Sequence, residues 1–120
     1  MVGLDCGTKY SGYSYCHVAN KQDIYSNDSW PGCFGQLKTN TILQCDDEYR
    51  DVKSWGYPVL CERPQKTNNE RNKPVELFRL HLSGMPEDLK PSLPAKISCE
   101  KAITDYLREI GKVQLKKQRF

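Results

Sequence analysis

The residues whose types and spacing best suit chemistry stand at the start of the chain, in Gly3-Leu4-Asp5-Cys6-Gly7-Thr8-Lys9-Tyr10-Ser11-Gly12-Tyr13. An apolar strand delivers one carboxylate, Asp5, at its end. Gly7 then lets the backbone turn, so that successive N–H groups of Thr8, Lys9 and Tyr10 face one concavity. Such a nest suits phosphate oxygens. Asp5 beside it suits hydrated magnesium, which keeps several waters and needs only one or two carboxylates. Lys9 adds a point charge. The same D-x-G-T pattern also makes an ordinary hairpin turn. The residues alone leave both readings open.

Other reactive side chains carry less. Cys16 and His17 are adjacent, so on a strand they point to opposite faces and cannot share a metal. His81 has no partner motif and reads as a packed or solvent-facing ring. The six cysteines, Cys6, Cys16, Cys33, Cys45, Cys61 and Cys99, show no CxxC and no regular interval. Free thiols packing as small hydrophobes are expected rather than a disulfide framework. Asn27-Asp28-Ser29 is a glycosylation sequon, relevant only in a secreted protein.

The elements that must position Asp5 and the turn follow from the apolar pattern. Val2 to Cys6 and Tyr10 to Val18 are strands of one hairpin, with Ile24 to Ser26 a third short strand. Asn27 to Gly35 is dense in turn formers and reads as a loop. Thr39 to Cys45 and Val52 to Trp55 flank the acidic turn Asp46-Asp47-Glu48 and form a second hairpin. Pro58 opens a short helix running to about Arg63, where Pro64 helps to end it. Gln65 to Lys73 is a polar loop. Val75 to Leu82 is apolar enough for either a buried helix or a strand. Gly84 to Lys96, with three prolines, is an irregular connection. Cys99, Ala102, Ile103, Tyr106, Leu107, Ile110 and Val113 then recur at helical spacing, with Glu100, Lys101, Asp105, Arg108, Glu109 and Lys112 on the other face. A helix from Cys99 to about Lys116 is expected, capped by Ser98.

Composition bounds the function. The chain of 120 residues carries a net charge of +3, and Lys112, Lys116, Lys117 and Arg119 more than account for it. Cations at a helix C-terminus are ordinary. A nucleic-acid binder would spread its basic face over the domain, so no nucleic-acid partner is expected. With no run of about 18 apolar residues and no secretory leader pattern, no membrane partner is expected, and the expected location is cytoplasmic.

The hairpin segment resembles the first phosphate-binding segment of the 70-kilodalton heat-shock chaperones and, more widely, of the actin and sugar-kinase superfamily. The resemblance extends through Leu37-Lys38-Thr39-Asn40-Thr41, Ser54-Trp55-Gly56-Tyr57-Pro58, Val75-Glu76-Leu77-Phe78-Arg79-Leu80-His81-Leu82 and Ile103-Thr104-Asp105-Tyr106-Leu107. These are similar to the divergent heat-shock-seventy-like branch. It implies an α/β fold: part of a ribonuclease-H-like, actin-like ATPase lobe, with a hairpin-built mixed sheet and a C-terminal amphipathic helix. Residues 1–120 would be the incomplete N-terminal portion of such a domain.

The resemblance implies ATP or ADP with magnesium as cofactor. Asp5 corresponds to the aspartate beside the metal, acting through water, and Gly7, Thr8, Lys9 and Tyr10 to the phosphate loop. Lys9 stands where the chaperones carry threonine. Leu60 stands near the place of their catalytic lysine, and leucine can neither position water nor neutralise phosphate charge. The second phosphate loop and the adenosine motif find no counterpart in the sequence. The expectation is a truncated ATP-binding protein that contributes one phosphate loop and does not hydrolyse alone. The alternative is a non-enzymatic module that binds a protein through an open sheet edge or apolar surface.

Overall fold

A computed structural model describes residues 1–62 and 73–117 of the chain. Its elements in order are β1 (Val2–Cys6), β2 (Tyr10–His17), β3 (Asn20–Ser26), β4 (Ser29–Trp30), β5 (Cys33–Phe34), β6 (Thr39–Asn40), β7 (Ile42–Cys45), β8 (Val52–Trp55), helix α1 (Tyr57–Cys61), β9 (Val75–Glu76), two 3-10 turns (Phe78–Leu82 and Glu87–Leu89) and helix α2 (Cys99–Lys117). This is a small α/β domain.

The first hairpin forms where its two strands are expected. In the antiparallel β1–β2 ladder, Leu4 lies opposite Tyr13, Asp5 opposite Gly12 and Cys6 opposite Ser11. The third strand is longer than expected, because β2 runs on through a tight turn into β3, with His17 opposite Asn20. On its other flank, the start of β2 pairs with β6, Tyr10 opposite Asn40 and Ser11 opposite Thr39. The second hairpin, β7–β8, gains β9 as a third strand, with Leu43 opposite Val75. In place of the expected mixed sheet, all pairings among the described residues are antiparallel. For β1–β2, β2–β3, β4–β5 and β7–β8 the reason is connection length: short turns join antiparallel neighbours, whereas a parallel pair needs a crossover of about a dozen residues or more. The one long helix among the described residues is their last element.

The expected strand Thr39 to Cys45 is split into β6 and β7, which belong to different sheets, and two further segments differ from the sequence reading. Asn27 to Gly35 is not only a loop: β4 and β5 form a miniature hairpin turning at Pro31-Gly32, with Gly32 at φ 71°. This turn drives Trp30 into the core, 1% exposed, where its Nε1 donates to the Gln36 carbonyl at 3.0 Å. Val75 to Leu82 is both of the expected alternatives in succession. Leu77, at φ 58°, breaks the backbone between β9 and the 3-10 turn, so that Val75 and Phe78 are both fully buried. Helix α1 ends at Cys61; Arg63, Pro64 and residues 65–72 of the expected loop lie outside the described residues.

The core is organised along a line of aromatic rings. Tyr13 meets Trp30 edge-on at 5.5 Å, Trp30 meets Trp55 at 6.4 Å, Trp55 meets Tyr106 at 5.7 Å, and Phe78 completes the run against Tyr106 at 5.9 Å. Edge-to-face geometry sets the electropositive rim of one ring against the negative face of the next. These rings come from β2, β4, β8, α2 and the first 3-10 turn, so one cluster ties the three sheets to the helix.

Helix α2 starts as predicted, with the Ser98 hydroxyl accepting from the Lys101 N–H at 3.2 Å. Ala102, Tyr106 and Ile110 are buried as the periodicity requires. Asp105, expected on the polar face, is instead only 4% exposed. It accepts from Lys101 Nζ at 2.6 Å and from Arg108 at 3.2 Å, and these flanking cations allow it to sit at the helix–sheet boundary.

Candidate functional site: the first hairpin and its groove

The turn after β1 brings the expected loop residues together. The Gly7 N–H donates to the Tyr10 carbonyl at 3.0 Å, closing the hairpin. A side chain at Gly7 would run into that same carbonyl oxygen. The glycine is therefore needed for close backbone approach; the described glycines with left-handed φ are Gly32, Gly35 and Gly56, so no left-handed turn is involved at Gly7. Neither Thr8 nor Lys9 donates its N–H to a backbone carbonyl among the described residues. The Tyr10 backbone is taken up into β2 opposite Asn40. Two of the three expected amides thus stay clear of the sheet.

Thr8, Lys9 and Tyr10 form one wall of a groove of about 330 Å³, which continues through Asn40, Thr41 and Ile42 to Glu76 and Leu77. Its floor is held by buried polar contacts. Ser11 and Thr41 share a hydroxyl hydrogen bond at 2.6 Å, and the Thr41 N–H donates to the Lys9 carbonyl at 2.9 Å. From α2, the Tyr106 hydroxyl donates to the Asn40 carbonyl at 2.9 Å. Burial pushes the Tyr106 phenol up to about 12, so it remains a donor. The helix therefore fixes the Asn40–Thr41 step beneath the loop.

Asp5 and Gly7 lie outside this lining. The Asp5 Oδ2 accepts from Lys38 Nζ at 2.7 Å. The hydrogen bond and charge of Lys38 hold the Asp5 carboxyl below its usual range, and Arg79 acts in the same direction. The cross-strand neighbour makes this contact possible. A Cβ on Gly12, directly opposite Asp5, would stand 2.8 Å from the Leu37 carbonyl oxygen and 3.3 Å from Lys38 Cγ. The bare glycine lets the Leu37–Lys38 segment lie over the hairpin.

These observations separate the two parts of the expected cofactor. Phosphate oxygens have candidate donors here: Thr8 and Lys9, whose amides have no backbone carbonyl partner among the described residues, line the groove, and the Glu76 carboxylate in the same lining opposes an anion. A metal at Asp5 does not fit the side chains as they stand, since Lys38 occupies the carboxylate and a divalent ion would face its ammonium. Among the described residues, no group of three or more His, Cys, Asp or Glu side chains is placed to hold a metal ion.

Sequence reading alone did not mark Asn40, Thr41 or Glu76 as groove residues, nor Lys38 as the partner of Asp5. Glu76 supplies the carboxylate on the groove wall, and it reaches that place only because β9 pairs with β7. Leu60 sits half exposed on α1 and is not part of the groove lining. His81 is held by the Pro91 carbonyl, 2.7 Å from Nε2. The six cysteines are free thiols. A larger hollow of about 440 Å³, between Asp47, Tyr49 and the 92–96 segment, shares no residue with the hairpin. No helix among the described residues is long and apolar enough to cross a membrane. No protein-family model, curated protein or solved structure matches this chain.

Proposed function

We propose that the Gly7–Tyr10 turn is the first phosphate-binding loop of a nucleotide site, carried on an actin-like, ribonuclease-H-like lobe of the heat-shock-seventy-like kind. One observation carries the reading. Thr8 and Lys9 keep their amides out of the sheet and line the Asn40–Thr41 groove, in the hairpin whose sequence resembles that family. A three-stranded meander opening the domain and a long helix packed against β7, β8 and the first 3-10 turn support the same lobe. The proposed role is binding rather than hydrolysis, because Leu60 offers neither charge nor a proton acceptor. The magnesium that the resemblance attaches to Asp5 is not part of this reading.

Thermal unfolding of the full chain tests it. A ligand that binds only the folded state raises the melting temperature. ATP should raise it, in magnesium or in EDTA, and Lys9→Glu should remove most of that rise. An unchanged melting temperature under both conditions overturns the proposal.

A second reading, a protein-binding module, is favoured by the open strands of the first sheet. Val2 and Leu4 on β1, and Ile24 and Tyr25 on β3, are all exposed. Unpaired edges of this kind template pairing with another chain. A chain that ignores ATP yet loses self-association or partner binding on Leu4→Lys and Ile24→Lys would follow this second reading.

A further inference from the structure

The two outer strands of the first sheet differ at their open edges. β1 and β3 flank β2, and among the described residues neither has a second neighbour. β3 carries Lys21 and Asp23, both exposed, and its ladder with β2 shifts register between Tyr15 and His17. Charges and irregular pairing are what keep an edge from recruiting another strand. β1 has neither protection: it pairs with β2 without a shift, contains no lysine or proline, and has its one charge, Asp5, taken by Lys38 at 2.7 Å. Its edge also points outward. The Cys16 N–H donates to the Met1 carbonyl and the Gly7 N–H to the Tyr10 carbonyl, both at 3.0 Å. Antiparallel ladders bond at alternate residues, so Gly3 and Asp5 turn their backbone groups to β2 while Val2, Leu4 and Cys6 turn theirs away from it. The side chains agree. Directly opposed residues share a face, which puts Val2 with Tyr15 and Leu4 with Tyr13. Tyr13 is buried against Trp30 and Tyr15 stacks on Tyr25 at 5.7 Å, but Val2 and Leu4 are 43% and 46% exposed. The apolar face of the core thus runs out to the β1 edge and stops there uncovered by any described residue.

We propose that β1 pairs antiparallel with β1 of a second copy of this chain, about a two-fold axis at Leu4. This rests on the protein-binding reading, which it narrows to one partner and one edge, and is independent of the phosphate loop. The strand is self-complementary in that register. Leu4 opposes Leu4 of the second copy, Val2 opposes Cys6, and Gly3 opposes Asp5. The outward backbone groups of Val2, Leu4 and Cys6 then all meet partners, as a closed two-fold contact requires. One face of the seam collects Val2, Leu4 and Cys6 from both copies. On the other face each Asp5 lies across from a glycine rather than from its like, which would be destabilising. Sliding the pair by two residues one way sets Asp5 against Asp5, and the other way leaves Cys6 without an opposing residue. A single strand pair is a small interface, so the dimer forms and dissociates with concentration.

Sedimentation velocity of the full chain over a concentration series tests this, with reductant present because the thiols are free. The wild-type mass should rise from 13.8 kDa toward twice that value as concentration increases. Leu4→Lys should hold it at the monomer value, while Ile24→Lys, on the β3 edge, should dimerise as the wild type does. Register is read separately in Val2→Cys. Opposed residues that exchange backbone hydrogen bonds stand about 5.5 Å apart at Cα, within reach of a disulfide. Oxidised glutathione should accept two electrons from the introduced thiol and from Cys6 of the second copy, leaving two glutathione thiols and a cross-linked dimer. Positions 2 and 6 of one extended strand are too far apart to join within a chain. Tandem mass spectrometry should map the bond to this pair; its absence overturns the inference, and decides the matter if Leu4→Lys fails to fold. A dimer kept in Leu4→Lys and lost in Ile24→Lys also overturns it, and moves the open-edge reading to β3. A wild type that stays at the monomer mass throughout overturns it as well. The broader protein-binding reading fails separately, when Leu4→Lys and Ile24→Lys both leave partner binding unchanged.

Discussion

Tyr13 and Tyr106 share one buried aromatic line but differ at their hydroxyls. The Tyr106 hydroxyl donates to the Asn40 carbonyl, whereas the Tyr13 hydroxyl has no partner among the described residues. An unmade hydrogen bond on a buried group costs its full desolvation, while a made one contributes modestly. Tyr13→Phe should therefore stabilise the fold by about 1 kcal/mol, and Tyr106→Phe should destabilise it by about 1 to 2 kcal/mol, both measured by urea unfolding. Their pH dependence should also differ from an ordinary surface residue. With the Tyr106 phenol raised from 10.0 to about 12, the unfolded chain ionises first on raising the pH. Its contribution is complete below pH 10 and is lost between 10 and 12, and Tyr106→Phe should flatten stability in that window. The sequence placed Tyr106 on the apolar face of its helix, because 3.6-residue periodicity is local. It could not show which carbonyl the hydroxyl would meet, since Asn40 stands 66 residues earlier.

At the scale of elements, the step from β8 into α1 sets the position of β6. Gly56 adopts φ 72°, and a Cβ there would stand 2.7 Å from Thr39 Oγ1. That oxygen already accepts the Tyr57 N–H at 3.1 Å. Gly56→Ala should therefore cost roughly 2 to 3 kcal/mol, combining left-handed strain with displacement of Thr39. Gly84→Ala, where an added Cβ meets nothing within 4 Å, should stay within about 0.5 kcal/mol of wild type. Chemical denaturation of the two variants checks the contrast. Because Thr39 leads directly into Asn40 and Thr41, the first substitution should also weaken any ligand held in the groove. Pro58 signalled helix α1 in the sequence, but the requirement at Gly56 comes from a strand 17 residues earlier and left no local mark.

Across the whole molecule, one aromatic cluster holds three small antiparallel sheets and a helix together, and thiol reactivity should map the result. Burial, with Asp105 adding to it, pushes the Cys45 thiol up to about 11. The thiolate is the reactive form, so Cys45 should resist alkylation in the folded chain at pH 8 and react only on unfolding. Cys61, exposed at the end of α1, should be modified first. Mass spectrometry after timed iodoacetamide treatment reads this order. Early modification of Cys45 under native conditions would contradict the core described here.

The sequence by itself determined what depends on short-range pattern. The β1–β2 hairpin, the second hairpin around the acidic turn and the capped helix α2 all follow from β-prone runs, turn chemistry and helical periodicity acting over a few residues. The grouping of Gly7, Thr8, Lys9 and Tyr10 is equally local, because a hairpin turn gathers its own residues. Tertiary structure decided everything that depends on distant partners. It paired β9 with β7 and so set Glu76 on the groove wall, turned Trp30 inward from a segment that reads as loop, and buried Asp105 between two cations. It also gave Asp5 to Lys38. A carboxylate's environment is set by whichever charge arrives nearest in space, and nothing in the chain between these two residues, 33 positions apart, signals their meeting over Gly12.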